Sequence, residues 1–157
     1  MNDPSISHYD IIRTIVELLT LMLKEDYVAL ATFRRSLRRF LRFVEEGARE
    51  AGLTPQQHQV LLAIRGQAGR DGASVGELSD ALQLKPHATV GLVDRCERAG
   101  FVERSPDPHD RRVVRVALTE KGDEVLARLT KRNLAELTAV GTLLADLQKL
   151  VRQGDEA

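Results

Sequence analysis

The side chains with chemistry to offer are concentrated in two stretches. One is RSPDPHDRRVVRVALTEKG, residues 104–122, with Asp110, Arg111 and Arg112 at its centre. Prolines and aspartates there shape a turn. Val114, Val116 and Leu118 then alternate with Val113, Arg115 and Ala117, the period of a strand returning from a hairpin. An arginine on a thin hairpin can enter the minor groove of DNA, where a narrow groove deepens the negative potential. The plainer alternative is a hydrophilic turn.

The other stretch is KPHATVGLVDRCERAG, residues 85–100. Pro86 suits the first turn of a helix and Gly100 its C-terminal stop. Thr89, Leu92, Val93 and Cys96 share the spacing of a core face. His87, Ala88, Val90 and Gly91, with Arg95 at the edge and Lys85 at the helix mouth, form the opposite, candidate major-groove face. The helix N-terminus and Lys85 can engage phosphate, and Arg95 can reach phosphate or a guanine edge. Val90 can touch a thymine methyl, and Gly91 allows close backbone approach. Asp94 repels phosphate and is expected to pair with a neighbouring arginine or to order the helix. An ordinary solvated helix face is the bland alternative.

Other reactive types carry less. The single cysteine excludes an intramolecular disulfide and a Cys-rich zinc site; Cys96 is expected to be buried and inert. His8, His58 and His109 have no metal-ligand spacing, and His58 is expected to be exposed or capping. Arg34, Arg35, Arg38, Arg39 and Arg42 form a basic stripe. It is read as a solvated or acid-paired face, with an anion pocket or phosphate contact as the functional alternative. No Ser-His-Asp logic, Gly-rich phosphate loop or paired-carboxylate site stands out, so nothing points to an enzyme or to a cofactor.

These groups need elements to hold them. The chain has 157 residues, about one domain. Lys and Arg total 23 and Asp and Glu 23, so any basic surface must come from local placement. The N-terminal residues do not read as a signal peptide. The most apolar run, IIRTIVELLTLML, is too short and too charged to span a membrane, and the expectation is a cytosolic protein.

Residues 7–49 keep helical spacing (Ile11, Ile12, Ile15, Leu18, Leu19, Met22, Leu23, then Val28 to Val44), with Lys24–Asp26 either dividing two helices or marking one bent helix. Thr54 with Gln57, and Ser74 with Glu77, read as capping boxes that start two further helices. Thr119 caps a final long helix with Leu137, Val140, Leu144, Leu147 and Val151 on its stripe. Helix, short helix, longer helix and hairpin is the order of a winged helix-turn-helix. The fold class is thus mainly α with a small β-hairpin wing, flanked by long N- and C-terminal dimerisation helices. The divisions are a helical region at 1–52, the winged module at 53–118 and a C-terminal helix at 119–157. The long helices cannot bury their stripes on so small a module, which implies a homodimer.

The chain from about Phe33 to the C-terminus resembles the MarR-type (multiple antibiotic resistance regulator) winged-helix transcription factors, and the resemblance rests on Ser74 to Gly122. DPHDRRVVRVALTEKG is similar to their wing, with Asp-x-Arg, a strand, then Leu-Thr-x-x-Gly; LVDRCERAGFVER is similar to the end of their recognition helix. Lys85-Pro86 stands where the family more often has a small hydroxyl residue, and residues 1–25 extend beyond its usual N-terminal segment. The resemblance implies Arg112 as the groove residue, Asp110 as its brace and Arg111 as a phosphate contact. It also implies a homodimer on a pseudo-palindromic double-stranded operator, acting as a repressor. Release is by a small anionic or phenolic effector of unknown identity, or by cysteine oxidation in some members. A winged-helix protein-interaction module without DNA binding, or a carrier or enzyme using the cleft between the long helices, are the competing readings.

Overall fold

The computed structural model describes residues 8–69, 71–108, 110 and 112–155. Helix α1 runs unbroken over His8–Glu50, so Lys24–Asp26 divides nothing. Then come α2 (Pro55–Arg65), β1 (Ala73–Ser74), α3 (Val75–Leu82), α4 (Pro86–Arg98), β2 (Val102–Pro106), β3 (Val114–Leu118) and α5 (Glu120–Asp155). The two helical arms, up to Phe40 and from Glu136, form one compact unit, and Leu41–Ala135 form the other. Leu18, Leu19, Met22, Leu23, Val140, Leu144, Leu147 and Val151 lie on helical backbone. Their side chains fall outside the described residues.

Local chemistry sets the boundaries of the second unit. Thr54 accepts from the Gln57 backbone while Gln57 returns to the Thr54 N–H, and Ser74 and Glu77 do the same for α3. Each box satisfies two helix N-terminal donors. At the other end of α4, Phe101 N–H donates to Cys96 and Gly100 N–H to Glu97, with Gly100 at φ 74°. This closure needs a left-handed residue, which glycine supplies without strain. Between α3 and α4 the same closure falls on Gln83, at φ 54°.

The core sits where α2, α3, α4, the sheet and the first turns of α5 converge. Val60, Leu61, Leu78, Leu92, Val93, Cys96, Val102, Val116, Leu126 and Leu129 are all buried there. Buried hydroxyls fix the crossing of α3 and α4. The Ser79 and Thr89 oxygens lie 3.0 Å apart, within reach of the carbonyls of Val75 and Lys85. The sheet is antiparallel in the order β1-β3-β2, with Ala73 opposite Val116 and Arg104 opposite Val116 on the other side. The strand β1 is the addition to the expected hairpin. Val116 anchors β3 to the core at 0% exposure, whereas Val114, on the same side by its alternation, is 45% exposed next to the turn.

The Leu-Thr-x-x-Gly pattern has a steric cause. Thr119 Oγ1 donates to Gly100 O at 2.7 Å and accepts from Gly122 N–H at 3.1 Å. Thr119 N–H donates to Phe101 O. Lys121 Nζ donates to Ala99 O and stands over the Phe101 ring. A Cβ at residue 122 would fall 2.0 Å from Phe101 O. Only glycine lets α5 start this close to the end of α4.

His58 differs from expectation. It is 3% exposed, and its Nε2 is buried with no hydrogen-bond partner. Its position on the inner face, one turn before Leu61, turns the ring into the core. Burial depresses the ring's pKa, because the imidazolium would lose its hydration.

Two outcomes follow. Gly122→Ala is expected to lower unfolding stability by roughly 1–3 kcal/mol, the scale of forced overpacking, read from urea melts; an unchanged midpoint would refute the close approach. For His58, the unfolded chain takes up a proton near its ordinary pKa of about 6.5 before the folded chain does. Stability should therefore be level above about pH 7 and decline as pH falls from there toward the depressed folded value. His58→Gln should flatten that part of the profile, and an identical slope in both proteins would remove His58 as its source.

Candidate nucleic-acid interface

Helix α4 presents one face to the core and one outward. Thr89, Leu92, Val93 and Cys96 are buried. Lys85, His87, Ala88, Val90 and Arg95 are exposed and Gly91 is half-buried. Lys85 occupies the N-cap position without a side-chain cap bond. Its side chain is thus not engaged in capping. At Gly91 an added Cβ would meet Arg95 Nη1 at 3.7 Å, so the Arg95 guanidinium lies over the glycine. Burial pushes the Cys96 thiol up to about 11, against a smaller opposing effect of Arg95. The thiol stays protonated at neutral pH and serves as a packing group.

The wing turn is built from backbone and carboxylate bonds. Asp107 N–H donates to Val113 O and Val113 N–H to Asp110 O. Asp110 N–H donates to Asp107 Oδ1 at 3.1 Å. Arg112 closes on Asp110 through its backbone N–H, Nε and Nη2, each at 3.0 Å. The Arg112 hydrogen bonds hold the Asp110 carboxyl below the usual carboxylate range. The Arg112 side chain is nonetheless 91% exposed, so water screens the pair and exchange for a phosphate or groove contact costs little. Arg111 lies outside the described residues.

Two further arginines, not singled out from the sequence, tie this wing to the helices. Arg115, on β3, donates from Nε to Asp107 Oδ2 at 2.5 Å and from Nη1 to Glu77 Oε2 at 3.0 Å. Glu77 is also the capping-box residue of α3, and Asp107 is 7% exposed. One guanidinium thus joins the start of α3 to the turn that carries Arg112. On the other strand, Arg104 donates to Asp94 at 2.6 Å and to Glu97, both on α4. Asp94 therefore finds the arginine partner expected of it. Only Asp94 with Glu97, three apart on one helix, left a signal in the sequence, and no spacing shows which strand residue meets them; Glu77 and Asp107 are brought together by the fold alone.

A cavity lies elsewhere. It has a volume of about 290 Å³ and is lined by Arg65, Asp71, Leu118, Glu120 and Asp123, among others. Arg65 in it is already held by Asp71 and Asp123. The described residues include no metal-binding cluster and no helix long and apolar enough to cross a membrane.

Residues 51–113 match the family model described as MarR family. Over 107 residues the chain is 32% identical to the uncharacterized HTH-type transcriptional regulator YsmB of Bacillus subtilis, covering 65% of this chain and 71% of that protein. Over 114 residues it is 32% identical to the HTH-type transcriptional repressor NicR of Pseudomonas putida, covering 71% and 70%. Its fold matches CouR of Rhodococcus jostii RHA1, solved bound to p-coumaroyl-CoA, with a TM-score of 0.59 and 28% identity over 76% of this chain and 88% of that one. With the exposed α4 face and the braced wing, these likenesses make the chain a member of the MarR family of winged-helix, DNA-binding transcriptional regulators.

Proposed function

We propose that this regulator is a homodimeric repressor that binds a pseudo-palindromic operator in the cytoplasm and is released by a small-molecule effector. Residues 53–118 form the DNA-binding module, with 1–52 and 119–157 supplying the dimerisation helices. The observation that carries the reading is the pairing of an exposed α4 face with a wing locked to the same helices through Arg104 and Arg115. His87, Ala88, Val90, Gly91 and Arg95 read the major groove, and Lys85 meets phosphate at the helix mouth. Arg112 leaves Asp110 to enter the minor groove, Asp110 bracing the turn meanwhile, and Arg111 contacts the backbone.

The dimer is supported by the apolar residues that α1 leaves in solvent. Ile11, Ile12, Ile15 and Val28 are 45–59% exposed in a single chain. A stripe of that size is ordinarily covered by a partner. NicR's designation as a repressor supports the sign of regulation, and the p-coumaroyl-CoA bound to CouR supports a small-molecule effector.

Light scattering at micromolar concentration should return twice the 17.5 kDa chain mass; a monomer would refute the dimer. Operators selected from a random duplex pool should be bound with an affinity that falls steeply with salt. Arg112→Ala should weaken that binding by roughly five- to 100-fold, the scale of one groove contact. If Arg115 positions the wing, Arg115→Gln should weaken binding as well and lessen the further effect of Arg112→Ala. Fully multiplicative losses would show the two residues acting independently.

A further inference from the structure

We propose that the face of α1 carrying Arg34, Arg35, Arg38 and Arg39 is a binding site for a phosphate-bearing polyanion. All four residues are exposed. At the helical pitch they fall within an arc of about 140° and about 7.5 Å of axis. That is a compact array suited to several linked phosphates rather than one monovalent anion.

The charge pattern argues against an ordinary solvated face. Helices gain from opposite charges at i, i+4 and lose from like charges there. Elsewhere α1 follows this rule, with Arg13 paired to Glu17 and Arg49 to Glu45. Here Arg34 stands four before Arg38, and Arg35 four before Arg39, so both pairs repel. Among the described residues one carboxylate reaches the group, Glu136 at 3.2 Å from Arg39, and the Arg39 side chain remains 79% exposed. Four cations in six residues are no by-product of composition in a chain of zero formal net charge. Nor are they needed for packing, since the half-buried Phe33 and Phe40 lie on the opposite face of the helix. A polyanion relieves the repulsion. The exclusive use of arginine favours phosphate, whose oxygens a planar guanidinium meets with two parallel bonds.

The phosphates come either from a free polyphosphorylated molecule or from DNA backbone beyond the operator core. Calorimetric titration of the full-length protein with sodium tripolyphosphate tests the site without relying on the DNA-binding reading. Saturable binding is expected, at least tenfold weaker in Arg34→Gln/Arg38→Gln and less impaired in Arg34→Lys/Arg38→Lys. Circular dichroism checks that both variants fold. Selected operators with short and long flanks then separate the sources. A tenfold loss confined to the long-flank duplex in the glutamine variant identifies DNA backbone, and unchanged affinity for both duplexes identifies a free ligand. The proposal is overturned by absence of saturable binding at millimolar tripolyphosphate, or by equal affinity in the glutamine variant. It is also overturned if that variant changes the oligomeric mass, which would make the arginines partners of a second copy's acids.

Discussion

The wing depends on one guanidinium in two places at once. Arg115 spans the Glu77 carboxylate at the start of α3 and the Asp107 carboxylate in the wing turn. A two-stranded hairpin is marginally stable by itself, and a charged tip adds nothing to its core. Arg115 converts the turn into an extension of the helix-turn-helix. Asp107 in turn receives the Asp110 N–H, and Asp110 holds Arg112. The path from the α3 cap to the exposed Arg112 thus consists of short polar contacts. Arg104 supplies the matching tie from β2 to α4. With each strand bound to a different helix, the wing cannot rotate about its own axis without breaking an ion pair.

The same ties reconcile a neutral chain with an anionic partner. Acidic and basic residues balance, at 23 each. Asp94, Glu97, Glu77, Asp107 and Asp110, on α4, at the start of α3 and in the wing turn, are all paired with arginine. Lys85, His87 and Arg95 are left exposed on α4 without a carboxylate partner among the described residues. Fields at a surface depend on where charges are neutralised more than on their sum. Buried and half-buried pairs are also less screened by salt than exposed ones. Salt therefore screens the outward cations before it loosens the frame behind them.

Patterns that repeat within one element were legible from sequence, and those that depend on another element were not. The capping boxes of Thr54 and Ser74 and the core face of α4 need only local spacing, and all appear as read. The exposed face of α4 was legible as the complement of its core face. The two-residue β1 was missed because Ala73 and Ser74 have no alternation to display; β3 recruits them through its free edge. His58 looked polar because its neighbours are glutamines, yet its register places it one turn before Leu61 and inside. Arg104 and Arg115 sit in strands whose period suggested only an inward and an outward side. The outward side of β3 meets Glu77, thirty-eight residues earlier, and pairing across that separation leaves no local trace.

The junction at Phe101 makes the wing and the first turn of α5 one mechanical piece. Thr119 is bonded to Gly100 and Phe101, Lys121 to Ala99, and Gly122 leaves no room between α5 and the Phe101 carbonyl. Residue 118 ends β3, and residue 120 begins α5. A tilt of the first turn of α5 must therefore move β3, the C-terminus of α4, or both. Close-packed contacts of this kind do not deform gradually; they hold or give way. Through Val116 and Arg115 the displacement would reach the wing turn, and through Cys96 and Val93 it would reach the recognition helix. The hairpin that carries Arg112 and the helix that carries Arg95 are thus constrained to respond together to whatever acts on the first turn of α5.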